Sequence, residues 1–128
     1  KKVKEELPTC QIVAADPEGS IMGGGDYIAP YQVEGIGYDF VPGTYHHQLV
    51  DRVVKTNDAT TFELALRLIR DEGMLVGGSS GAAIQAALEV ASTAPEGSRI
   101  VVIFADSIRN YMNKHLSPEW RREHGFNF

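Results

Sequence analysis

Gly77-Gly78-Ser79-Ser80-Gly81 stands between a short apolar run, Met74-Leu75-Val76, and an alanine-rich stretch that begins Ala82-Ala83-Ile84. That order supports a strand that turns on glycines straight into a helix. Glycine permits backbone shapes and close approaches that a side chain would block. The first turn of a helix holds N–H groups without internal partners and the positive end of the peptide dipole. A serine hydroxyl and several amides thus aim at one point, a place for an acyl, anionic or heteroaromatic group.

The rest of the chain alternates strands and helices around this turn. Gln11–Ala15 is a nearly continuous apolar run ending in Asp16-Pro17-Glu18-Gly19, which reads as a buried strand and a turn. Residues 20–32 form a loop, and Val33–Phe40 is too broken by glycine for a regular strand. Leu49–Lys55 fits strand or helix, and Val50, Val53 and Val54 tip it toward strand. Asn57–Glu72 is a helix capped by Asn57 or Asp58, with Phe62, Ala65, Leu66 and Ile69 on one face. Glu63 and Arg67 are spaced to pair on its wet side, and Gly73 ends it. A second helix over 79–93 is apolar on most faces, as in a helix buried against a sheet. Ile100–Phe104 lacks alternation and predicts a central parallel strand. A helix from about Ser107 and a polar helix over 118–124 complete the order. This is the pattern of an α/β fold, in which ligands bind at the carboxyl ends of strands. Gly77–Gly81 and Ala105–Ser107 both lie at such ends.

Bulk properties narrow the classes. A net charge of −5 over 128 residues leaves no basic stripe for nucleic acid. No apolar run reaches the roughly 20 residues that a membrane helix needs. The single cysteine, Cys10, excludes an internal disulfide framework and fits a reducing, cytoplasmic compartment. The chain opens in a polar, helix-like segment without an initiator Met or signal peptide, as would part of a longer protein.

Several chemistries compete for the glycine turn. Gly77–Gly81 formally satisfies the G-x-S-x-G elbow of serine hydrolases, and Asp106 with His115 or His124 supplies the chain order Ser–Asp–His. Against it, no His-Gly-Gly-Gly oxyanion segment is present, and Asp106 and His115 are close for two separate loops. Gly35-x-Gly37 lacks the third glycine and the acidic partner of a dinucleotide-binding motif. His46 and His47 are adjacent and fit a surface loop better than a metal site, and no metal is expected. Tyr38 fits a half-buried core tyrosine as well as a site residue, while Arg109, Lys114, Arg121 and Arg122 read as solvated helix faces.

Three segments in order carry a family resemblance: Glu34-Gly35-Ile36-Gly37-Tyr38-Asp39-Phe40-Val41-Pro42, the Gly77–Gly81 turn, and Asp106-Ser107-Ile108-Arg109-Asn110-Tyr111. With Val13–Ile21 ahead of them, they resemble the later half of the catalytic core of the cystathionine beta-synthase family, over essentially the whole chain. Cysteine synthases share the Ser-Ser-Gly turn and the Gly-Ile-Gly, whereas Tyr38-Asp39 is the cystathionine beta-synthase version.

The resemblance implies a tryptophan-synthase-beta-like fold (fold type II), a parallel sheet between helical layers, and pyridoxal 5'-phosphate as cofactor. It implies a homodimeric enzyme that joins serine to homocysteine, with hydrogen sulfide from cysteine as a further product; cysteine synthase, using O-acetylserine and sulfide, is the neighbouring alternative. By the same resemblance Ser79 bonds the pyridine nitrogen. Gly35, Gly37 and Tyr38 line the active-site cleft, with Tyr38 as the catalytic residue near the bound amino acid, and Asp106 lies beside the ring. Residues 1–128 then form the C-terminal portion of one catalytic domain. The lysine that carries the cofactor and the phosphate loop belong to an N-terminal half before Lys1, so this part alone is expected to be neither active nor fully folded. Lys1, Lys2, Lys4, Lys55 and Lys114 all fall outside the motifs, and none is assigned that role.

Overall fold

The computed structural model describes all 128 residues. Two strands, β1 (Val13–Pro17) and β2 (Arg52–Thr56), pair in parallel, each shifted slightly from the run that predicts it. The register sets Ala14 against Val53, Ala15 against Val54 and Asp16 against Lys55. Asp16 is only 3 % exposed. A carboxylate so deep is costly unless paired. The register supplies the partner, for Lys55 Nζ lies 2.5 Å from Asp16 Oδ2.

Helix α1 (Lys2–Glu6) precedes the sheet, and α2 (Asp58–Glu72) follows it directly. The Asn57 side chain caps α2 by accepting the Thr60 N–H at 2.9 Å, and Gly73 closes it in the left-handed conformation that glycine adopts without strain. Its buried stripe is Thr61, Phe62, Leu64 and Ala65, while Leu66 and Ile69 are only partly covered. Arg67 pairs with Asp71 at 3.7 Å rather than with Glu63. Helix α3 (Gly78–Ala91) lies between the sheet and α2, touching both strands and crossing α2 closely. The crossing is tight because Gly81 has no side chain: a Cβ there would stand 1.9 Å from the Thr61 carbonyl oxygen.

Two expectations fail in the same direction. Ile100–Phe104 forms no strand; Val101 and Ile103 are 83 % and 80 % exposed and nothing pairs with the segment. A run patterned for burial on both faces has no sheet neighbours within these residues. Likewise α3 is covered on one face only, by Gly78, Gly81, Ala82 and Ala86, with Leu88 exposed. The helix expected from Ser107 is a single 3-10 turn, Ile108–Tyr111. The last helix, α4 (Pro118–Glu123), starts on a Ser117 cap. Its Trp120 and the following Phe126 set their rings edge-on to Phe62 at 5.7 and 5.4 Å, which fastens the C-terminal segment to α2. No helix is long and apolar enough to cross a membrane.

Candidate active site

The glycine turn is held by an antiparallel bridge between Val76 and Ser107. Gly77 N–H donates to the Asp106 carbonyl at 3.1 Å, and Ile108 N–H to the Leu75 carbonyl at 3.1 Å. This clasp, between segments some thirty residues apart, brings the turn and Asp106 together. Asp106 leans against Gly77 so closely that a Cβ on Gly77 would meet Oδ1 at 2.0 Å. Gly77 caps α3, so Ser79 is the second residue of its first turn. Ser79 is half-buried, and its hydroxyl makes no hydrogen bond within the chain. Ser80 points inward and is 1 % exposed. Of the two serines, only Ser79 can offer its hydroxyl outward.

Asp106 Oδ2 accepts the Tyr111 hydroxyl at 2.6 Å, while Oδ1 is buried without a partner. That hydrogen bond, with burial, pushes the Tyr111 phenol up to about 12 and keeps it protonated. The Asp106 carboxylate is therefore engaged with Tyr111 and packed under Gly77.

The segment that leads into Gly35–Tyr38 is anchored by side chains from α2 and from the chain after Tyr111. Asp58, in the first turn of α2, accepts the N–H groups of Gln32 at 2.5 Å and Val33 at 3.0 Å, and Glu34 pairs with Lys114 just beyond the Tyr111 turn. The Lys114 and Glu34 side chains stay exposed as a solvated face requires, whereas Arg121 departs from that expectation, since its Nη1 donates to the His115 carbonyl at 3.1 Å. Gln32, Glu34, Gly78, Tyr111 and His115 share a cavity of about 10 Å³, the room of one water molecule. Gly37 has φ +77°, and a Cβ there would strike the Pro17 ring at 2.5 Å, so the loop rests on the carboxyl end of β1. Tyr38 is 47 % exposed, its ring 5.2 Å from Phe40. It is not a core tyrosine. His46 and His47 are exposed, as a surface loop requires.

The hydrolase alternative does not survive this geometry. His115 is 1 % exposed and stacks on Phe62 at 4.8 Å beneath Gly78; its Nε2 has no partner and Asp106 bonds Tyr111 instead. His124 bonds the Trp120 carbonyl. Neither histidine bonds Ser79 or Asp106, so no relay exists. No cluster of three His, Cys, Asp or Glu side chains is arranged around a metal position.

Burial, reinforced by the Arg121 charge, pushes His115 down to about 4. The unfolded chain, with an ordinary imidazole near 6.5, binds the proton first, so stability is full above that value and falls as pH drops toward 4. The loss is expected to approach about 3 kcal/mol across that window. Urea midpoints measured from pH 7.5 to 4.5 should fall in the parent protein and fall less in His115→Phe. Equal slopes would contradict it.

The glycine turn offers one unpartnered serine from the first turn of α3. Residues 1–106 match the family described as pyridoxal-phosphate dependent enzyme, and the chain belongs to that family. It is 48% identical to the cystathionine beta-synthase of Dictyostelium discoideum, over 98% of this chain and 26% of that protein. It is 39% identical to the cysteine synthase of Helicobacter pylori (strain J99), over 91% of this chain and 38% of that one. The crystal structure of an O-acetylserine dependent cystathionine beta-synthase from Helicobacter pylori superposes with a TM-score of 0.81 at 38% identity, covering 88% of this chain and 36% of that chain. The chain thus spans about a quarter of the Dictyostelium relative. Its α/β architecture is that of fold type II, and pyridoxal phosphate is the family's cofactor.

The residues present fit the ring-nitrogen end of that cofactor, for Ser79 offers a neutral hydroxyl with no competing partner. Each lysine has a carboxylate neighbour: Lys1 with Glu5, Lys2 with Glu6, Lys4 with Asp51, Lys55 with Asp16 and Lys114 with Glu34. Sequence reading misses Asp16, Ser20, Lys55 and Asp58 as groups that set the cleft loop. Asp16 and Ser20 bond each other four residues apart, but the bonds that reach the loop and Lys55 join residues 18 to 39 positions apart, beyond any local pattern.

Proposed function

We propose that the protein containing this chain is a pyridoxal-phosphate-dependent beta-replacement enzyme that condenses L-serine with L-homocysteine to cystathionine and water. The observation that carries this reading is the Ser79 hydroxyl, unpartnered in the first turn of α3. The bound cofactor supplies an electron sink that labilises the amino acid's α-hydrogen and β-substituent. Serine's Cβ–O bond breaks, the Cβ–S bond forms, and hydroxide leaves as water with the proton of the thiol. Ser79 donates its hydroxyl to a ring nitrogen that keeps its lone pair. A carboxylate there would hold a proton on that nitrogen, whereas a neutral hydroxyl beside the positive end of α3 disfavours one. By leaving that nitrogen unprotonated, Ser79 would favour loss of the β-substituent over reprotonation at the α-carbon.

Tyr38, exposed on a loop anchored to Pro17, contacts the bound amino acid in this reading, while Gly35 and Gly37 let the loop pass close to it. Asp106 lies beside the ring and, through its bond to Tyr111 and its contact with Gly77, fixes the turn that aims Ser79. The chain forms the C-terminal portion of one catalytic domain, whose remaining strands cover Ile100–Phe104 and the open face of α3; the exposed apolar residues there support this. The whole enzyme is taken as a cytoplasmic homodimer that also releases hydrogen sulfide from cysteine.

A second reading concerns the substrates alone. A relative named for O-acetylserine dependence and another named cysteine synthase favour O-acetylserine as first substrate and sulfide as second. One experiment separates the readings. The visible cofactor band of the full-length enzyme is followed while serine or O-acetylserine is added, and product is then measured with homocysteine or sulfide. The proposal expects the band to shift with serine and cystathionine to form. A band that ignores serine but answers O-acetylserine supports the second reading. Labelling of Ser79 by a fluorophosphonate would restore a hydrolase.

A further inference from the structure

Tyr38 is bonded through both of its backbone polar groups, and the hydroxyl that takes its N–H lies just after β1. The Ser20 hydroxyl is at the centre. It is 2.6 Å from Asp16 Oδ1, 2.9 Å from the Tyr38 N–H nitrogen and 3.2 Å from that of Met22. A hydroxyl has one proton to give and two lone pairs to accept with. The proton goes to the carboxylate, the shortest of these contacts, and the lone pairs accept the amides of Tyr38 and Met22. The Tyr38 carbonyl, 3.1 Å from the same hydroxyl, accepts the Ile21 N–H at 2.9 Å. Both polar backbone groups of Tyr38 are therefore tied to the segment after β1, while its side chain stays free at the surface.

The anchor is itself braced. Asp16 Oδ2 takes the Gly23 N–H at 3.0 Å and the Lys55 ammonium at 2.5 Å, and the same ammonium reaches the Ser20 carbonyl at 2.6 Å. Asp16 and Ser20 are 3 % and 2 % exposed, so a lost partner cannot be replaced cheaply by water. Removing one buried member of this network leaves the other unpaired.

We infer that Asp16, Ser20 and Lys55 form a positioning tripod that sets the backbone of Tyr38, and through it the affinity for the amino-acid substrate. The inference rests on the reading of Tyr38 as a substrate contact. The three residues touch neither substrate nor cofactor in this account. They act through the loop, independently of the Ser79 turn.

The test uses the full-length holoenzyme and two readouts: hydrogen exchange of the segment 35–40, and KM and kcat for the amino-acid substrate with cofactor saturating. In Ser20→Ala, exchange at the Tyr38 amide should quicken by about tenfold or more as its acceptor is lost. KM should rise by about tenfold with a smaller change in kcat, since a displaced contact is expected to act mainly on binding. Cofactor content should stay at the parent level. In a Tyr38→Ala background the same change should add less than about twofold to KM, because both act through one contact. Lys55→Met, at a partly exposed position, should move both readouts in the same direction and serves if Ser20→Ala does not fold. Unchanged exchange, an unchanged KM beside quickened exchange, or multiplicative effects with Tyr38→Ala would overturn the tripod. A parent-like KM in Tyr38→Ala would instead overturn the reading of Tyr38, whatever the exchange shows.

Discussion

Gly81→Ala in the full-length enzyme is expected to cost more than about 3 kcal/mol of stability, the upper range of overpacking effects. The new Cβ would stand 1.9 Å from the Thr61 carbonyl oxygen and 3.0 Å from the Ala65 nitrogen. Both obstacles are backbone, so no rotamer change relieves them, and α2 and α3 must move apart. That separation strips cover from Phe62 and Ala65 and loosens the start of α3, where Ser79 sits. Chemical denaturation should show a lower midpoint, and cofactor should be lost together with structure. Gly73→Ala supplies the comparison. It meets no atom within 4 Å, and its left-handed φ of +69° adds only a local strain of about 1 kcal/mol. Equal losses in the two variants would contradict the close-crossing account.

Ser79→Asp should have the opposite profile. A carboxylate in the first turn of α3 suits the helix dipole, and Ser79 is half-buried with no internal hydrogen bond to lose, so the fold should survive with stability within about 1 kcal/mol. Turnover should nonetheless fall by at least about a hundredfold, close to 3 kcal/mol at the transition state. The carboxylate would hold a proton on the ring nitrogen and deepen the sink, so reprotonation should compete with β-elimination. Deuterium uptake at the α-carbon of recovered serine, measured beside cystathionine formation, tests this directly. Near-parent turnover would discredit the role given to Ser79.

β1, both long helices and the glycine turn are legible because each rests on local signals: an apolar run, the Asn57 cap, the Gly73 stop, and glycines before an alanine-rich stretch. β2 reads as strand or helix, and Met74–Val76, read as a strand, keeps only the single bridge at Val76. The surface character of His46 and His47 follows from adjacency alone. What escapes the sequence is long-range. Lys55 looks like an ordinary strand-end lysine until the parallel register sets it opposite Asp16. Arg121 looks solvated until its guanidinium meets the His115 carbonyl. His115 looks like a hydrolase base, yet burial against Phe62 makes it a neutral packing residue. Ile100–Phe104 shows the converse failure. Its pattern is that of a central strand, but a strand needs neighbours, and these residues supply none.

The most direct measurement is the ¹⁵N chemical shift of the cofactor's pyridine nitrogen in the full-length holoenzyme. The account predicts an unprotonated nitrogen that accepts a hydrogen bond, with a shift that moves when Ser79 is changed to alanine. A protonated nitrogen in the parent enzyme, or a shift indifferent to Ser79→Ala, would contradict it.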